Sequence, residues 1–120
     1  MTGPLFNYST STRWRLQIMK YHVVATRMEL DDNPQMHVEI EDRQILLCRD
    51  GDNIYAVDYF CSHDSFTLEG GHISNGCITC PYHGAEFSLA TGEVLAPPAF
   101  EAICTYPVKV ADDIISIGID

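Results

Sequence analysis

A chain of 120 residues, 46% apolar and 20% charged, is the size of one domain able to bury a core of its own. Its net charge of −10, from 17 acidic residues against 7 Lys and Arg, repels phosphate backbones and anionic lipid surfaces. Nucleic acid and membrane are therefore not expected partners, and a basic protein surface is. The five cysteines are an odd number and spell no disulfide framework. No apolar run approaches the roughly 18 residues of a membrane span, so a reducing cytoplasm is the expected location.

Residues 1–19 read as an N-terminal extension, polar and turn-prone between Asn7 and Thr12, with Met19 as an alternative start. From Tyr21 the pattern is β. The runs Tyr21–Thr26, Met36–Ile40, Gln44–Arg49 and Asn53–Asp58 are short and rich in Val, Ile and Tyr. Glu41-Asp42 and Asp50-Gly51 are the turns between the last three. Met28–Asp32 has room for one helical turn before Asn33-Pro34 stops it.

The texture changes from Tyr59 to Pro98, where Gly70-Gly71, Asn75-Gly76, Gly84, Gly92 and Pro97-Pro98 punctuate the chain. Strands there have to be short: Cys77–Cys80, Glu86–Leu89 and Glu93–Leu95. Two further strands, Ile103–Val110 and Ile114–Ile119, flank Asp112-Asp113 and close the chain. The expected architecture is all-β: a single domain, residues 1–120, with an antiparallel base sandwich or barrel (20–58 and 99–120) and a small inserted lobe (59–98).

The chemistry sits in that lobe. Cys61-Ser62-His63 is followed, after 16 residues, by Cys80-Pro81-Tyr82-His83-Gly84. Each half offers one thiolate and one imidazole from a tight loop, and two such loops facing each other make a four-ligand cage. Thiolates suit iron–sulfur units and imidazole also suits iron. The same four residues spell a mononuclear zinc site as well, although zinc modules more often pair Cys with Cys and His with His.

At these residues the sequence resembles the Rieske iron–sulfur proteins, whose pattern is Cys-x-His followed by Cys-x-x-His-Gly. The resemblance runs from about Tyr21 to Ile119. It includes Leu68-Glu69-Gly70-Gly71, Phe87-Ser88-Leu89-Ala90-Thr91-Gly92, Pro97-Pro98 and Tyr106-Pro107-Val108-Lys109-Val110. Within the family the match is to the small ferredoxins of bacterial aromatic-ring dioxygenase systems. That implies one [2Fe–2S] Rieske cluster, with Cys61 and Cys80 on the inner iron and His63 and His83 on the outer one. It implies a monomeric electron carrier in aromatic-hydrocarbon catabolism. Its electrons come from a flavin-dependent NAD(P)H reductase and go to a terminal ring-hydroxylating oxygenase. A permanently bound small Rieske subunit of another oxidoreductase is the alternative.

Two ferric ions, two sulfides and two thiolates sum to roughly zero charge, and neutral imidazoles add nothing. Such a centre takes an electron more readily than an all-thiolate one. In high-potential respiratory relatives a disulfide joins the two loops at positions equivalent to Phe66 and Tyr82, and hydroxyl donors stand where Ala85 and Phe87 stand here. Without those devices the resemblance implies a potential near the low end of the Rieske range, roughly −150 mV. It also implies that Pro97-Pro98 is a lid beside the cluster.

The remaining candidates have simpler readings. Cys48, Cys77 and Cys104 read as structural thiols, Cys48 and Cys104 as core. His72 reads as a surface-loop residue, and His22 and His37 as scaffold. Asp64, Glu69 and Glu86 form an acidic surround, read either as a solvated loop or as a docking rim for basic partners. No nucleotide fingerprint, second metal site or triad spacing is present in the sequence. The expected role is therefore that of a carrier and not of an enzyme.

Overall fold

The computed structural model describes residues 19–62, 66–82, 84–97 and 101–120. The N-terminal extension therefore lies almost wholly outside the described residues, as do His63, Asp64, His83 and Pro98. Eleven strands and one short helix make three antiparallel sheets among these residues.

The first sheet joins β1 (Lys20–Thr26), β11 (Ile114–Ile119) and β10 (Val108–Ala111) in the order β1-β11-β10. The second joins β2 (Gln35–Ile40), β3 (Arg43–Asp50), β4 (Asn53–Asp58) and β9 (Thr105–Tyr106) in chain order. Between β1 and β2 runs α1 (Arg27–Asp32), a six-residue helix started by a capping box. There the Thr26 hydroxyl accepts from the Glu29 amide, and the Glu29 carboxylate accepts from the Thr26 amide at 2.8 Å. Leu30 is the residue the helix buries.

Three two-residue hairpin turns share one backbone solution. Glu41-Asp42, Asn75-Gly76 and Asp112-Asp113 all have positive φ at both positions, the form that matches the twist of the flanking strands. Asp and Asn tolerate this region through local hydrogen bonding.

The strand β3 explains how the layers stack. Ile45, Leu46, Leu47 and Cys48 are four consecutive residues with no exposed surface. In a strand, neighbours point to opposite faces, so a continuous apolar run is buried on both. Ile45 and Leu47 face a core shared with Ala25, Leu30, Ile40, Ala56, Ile115, Ile117 and Ile119, which fills the space between the first two sheets. Leu46 and Cys48 face a second core, shared with Val57, Cys61, Leu68, Ile78, Cys80, Ala85, Phe87, Leu89 and Ile103. That second core underlies the third sheet: β5 (His72–Ser74), β6 (Cys77–Thr79), β7 (Glu86–Ser88) and β8 (Val94–Ala96), in the order β5-β6-β7-β8.

Three local expectations need correction. The run 103–110 is not one strand: Pro107, which has no N–H to donate, divides it into β9 and β10, and these belong to different sheets. Cys104 is exposed, because it precedes β9 on the irregular stretch that leads into it. His72 is exposed but opens a strand, paired with Thr79, that its polar three-residue sequence did not reveal.

Candidate metal centre

Each half of the Cys/His motif begins with a buried cysteine at the root of a loop. Cys61 follows β4 and Cys80 follows β6, and they are 3% and 1% exposed. The Cys61 amide donates to the Phe66 carbonyl at 2.8 Å, and the Cys80 amide donates to the Ala85 carbonyl at 2.7 Å. Both loops therefore close in the same way, from a cysteine amide to the carbonyl five residues on. Outside the first closure, Phe60 bridges Thr67, and the Leu68 amide donates to Tyr59. Inside the second, the Gly84 amide donates back to Cys80 at 3.0 Å, with Gly84 at φ +77°, a conformation that glycine adopts without strain.

Both cysteines belong to one buried cluster with Leu68, Ala85 and Phe87. The Ala85 and Phe87 side chains are fully buried and carry no hydroxyl. His63 and His83, the other two expected ligands, lie outside the described residues. Among the described residues no three His, Cys, Asp or Glu side chains converge, so His72, Cys77 and Glu86 do not make a rival site.

The loops are held to the base by contacts that the motif did not announce. Gln35 on β2 uses both ends of its amide on one turn: its Oε1 accepts from the Gly70 amide and its Nε2 donates to the Gly71 carbonyl, each at 2.7 Å. Gly71 sits so close to its neighbours that a Cβ there would lie 2.3 Å from the Thr79 carbonyl oxygen. Asp50, expected only as a turn residue, accepts from the Gly76 amide at 2.5 Å. The Ser62 hydroxyl, between the first cysteine and histidine, donates to the Glu101 carbonyl at 2.5 Å. Tyr59 donates to Glu69 at 2.6 Å while its ring stacks on His37 at 3.8 Å. The Glu69 hydrogen bond also holds the Tyr59 phenol pKa above its ordinary value. Sequence spacing carries no signal for Gln35, because its role depends on where the sheet places it.

The other thiols are chemically distinct from the loop pair. Burial pushes Cys48 up to about 12, so it stays a neutral thiol in the core. Cys104 is also raised, first by the negative charge of Asp58 and then by partial burial. Asp58 accepts from the Cys104 amide and from the Tyr106 hydroxyl, both at 2.8 Å, and so ties β9 to β4.

Two buried cysteines at the roots of identically closed loops are a donor set suited to an iron–sulfur group, and a family profile for the Rieske [2Fe-2S] domain matches residues 20–107. The chain belongs to the Rieske [2Fe–2S] family. It is 38% identical over 97 residues to the 3-phenylpropionate/cinnamic acid dioxygenase ferredoxin subunit of Photorhabdus laumondii, a match covering 80% of this chain and 91% of that one. It is 36% identical over 73 residues to the ferredoxin component of a naphthalene 1,2-dioxygenase system from Pseudomonas putida, covering 61% and 70%. Among solved structures it resembles the ferredoxin of carbazole 1,9a-dioxygenase from Nocardioides aromaticivorans IC177. That match has a TM-score of 0.75 at 29% identity and covers 81% of this chain and 95% of that one. The expectations of an all-β Rieske fold, one [2Fe–2S] cluster and an electron-transfer role hold.

Proposed function

We propose that this Rieske protein carries single electrons from a flavin-dependent NAD(P)H reductase to a terminal aromatic-ring oxygenase, as a monomer in the cytoplasm. Cys61 and Cys80 hold the inner iron, and His63 and His83 the outer one. Residues 59–98 form the cluster-bearing lobe, and 20–58 with 99–120 form the base. The observation that carries this reading is the matched pair of loops, each closed from a buried cysteine amide to the carbonyl five residues on. Ferredoxin subunits and components of dioxygenase systems among its relatives support the choice of partners.

When bound, the cluster supplies one-electron redox chemistry. The chain's own contribution is to hold and to shield. The apolar floor of Leu68, Ala85 and Phe87 keeps water from the sulfur side, and it offers no hydroxyl to stabilise added negative charge. That keeps the potential low, at roughly −150 mV. Among the described residues no helix is long and apolar enough to cross a membrane.

The test is ligand replacement in the purified protein. Cys61→Ser and Cys80→Ser abolish the bound iron, and His63→Ala and His83→Ala abolish the mixed-ligand EPR signal of the reduced protein. A redox titration falls near the low end of the Rieske range. Iron retained in the cysteine variants, or a potential well above zero, overturns the reading. A chain that elutes only in a larger complex favours the permanent-subunit alternative.

A further inference from the structure

The two loops rooted at Cys61 and Cys80 also meet through a pair of aromatic rings. Phe66, whose carbonyl closes the first loop, and Tyr82, in the second, stack with ring centroids 4.8 Å apart and planes 29° from parallel. Their separation lies in the favoured range for aromatic pairs. Both rings remain well exposed, Phe66 at 42% and Tyr82 at 59%, so burial in the core does not explain them. In sequence Phe66 lies three residues after His63, and Tyr82 immediately precedes His83.

We propose that the Phe66–Tyr82 stack is a non-covalent clamp that fixes the spacing of the two metal-bearing loops, which makes both rings positioning residues for the cluster. The inference rests on the proposed ligand set. Cys61 and Cys80 join the two loops in one buried core, and the stack joins the closing end of the first loop to the second loop at another point. Two loops joined at two points keep a fixed spacing. Loops joined only through the buried core separate more readily and admit water and competing chelators.

The test uses the cluster-loaded protein and EDTA as the competing ligand, with loss of the visible chromophore followed over time. Phe66→Ala and Tyr82→Ala each lose the cluster about threefold to tenfold faster than the parent chain, the range expected for one aromatic pair. The double variant is no faster than the faster single variant, because either change removes the same contact. Tyr82→Phe keeps the ring and behaves as the parent. Tyr82→Leu keeps apolar bulk without the flat ring and behaves as Tyr82→Ala.

The reduction potential of the Ala variants moves upward, because water admitted between the loops stabilises the added negative charge. Parental loss rates in the Ala variants, additive effects in the double variant or parental behaviour of Tyr82→Leu would each overturn the clamp. Cys61→Ser decides the ligand reading separately. Iron retained there refutes the ligands, whereas iron lost there together with parental rates in the ring variants refutes only the clamp.

Discussion

The first two sheets, which form the base, and the third sheet solve the same problem with different means. In the base, β2, β3, β4 and β11 are six to eight residues long, and aliphatic side chains fill the space between the two sheets. Such a structure is stabilised by apolar burial and tolerates local error. In the third sheet, β5 to β8 have three residues each, too few to stand alone. They are kept in place by close backbone approaches at glycines, by side-chain latches from the base and by a core that includes two cysteines. The first two sheets therefore stand on their own core, whereas the third sheet depends on the sheets below it.

Removing the metal is the strongest way to break this comparison. Metal binding couples to local order, so chelation should strip amide protection from residues 66–82 and 84–97, while the β2–β3–β4 amides stay protected. Hydrogen exchange read by mass spectrometry checks this, and uniform loss across both regions would show that the two are one cooperative unit.

A second break is steric. Gly92 has φ +81°, and a Cβ there would lie 2.0 Å from the Ile103 carbonyl oxygen. Gly92→Ala should cost more than about 3 kcal/mol and destabilise the lobe first. Leu47→Ala, in the base core, should cost about 2–5 kcal/mol by leaving a cavity, with little change in the rate of metal loss from the folded protein. Denaturant titration together with chelator kinetics separates the two.

The Gln35 latch offers a smaller effect. Gln35→Ala removes two hydrogen bonds to the Gly70-Gly71 turn and should cost about 1–3 kcal/mol, with metal loss accelerated. Gln35→Glu can still accept from the Gly70 amide but cannot donate to the Gly71 carbonyl, and should fall between the two. A Gln35→Ala chain with parental metal loss would show that the latch does not support the loops.

The smallest effect is alkaline and belongs to the base and its junction with the lobe. Burial raises Tyr106 from its ordinary 10.0 to about 12, and Cys48 from 9.0 to about 12. Both are neutral when protonated, so above pH 9 the unfolded chain binds fewer protons than the folded one, and stability falls as pH rises. The contribution is intact below pH 9 and is lost through about 12. Tyr106→Phe should flatten the upper part of that decline, at a neutral-pH cost of about 1 kcal/mol for the hydrogen bond to Asp58. An unchanged alkaline slope would assign the decline elsewhere.

Much of this protein can be read from local pattern. The Gln44–Arg49 run announces a strand, the dipeptides Glu41-Asp42, Asp50-Gly51 and Asp112-Asp113 mark turns between strands, and Cys61 to Gly84 carries the Rieske motif. These are properties of neighbours in the chain, where propensity and side-chain chemistry act over a few residues. What only the tertiary structure decided is how distant segments meet: β9 and β10 dividing at Pro107 between two sheets, Cys104 left exposed, Gln35 reaching the Gly70-Gly71 turn, and the Phe66 and Tyr82 rings stacked. None of these has a sequence period: the Gln35 latch and the ring stack are set by where the sheets bring distant parts of the chain, and the sheets that β9 and β10 join are chosen by their pairing partners.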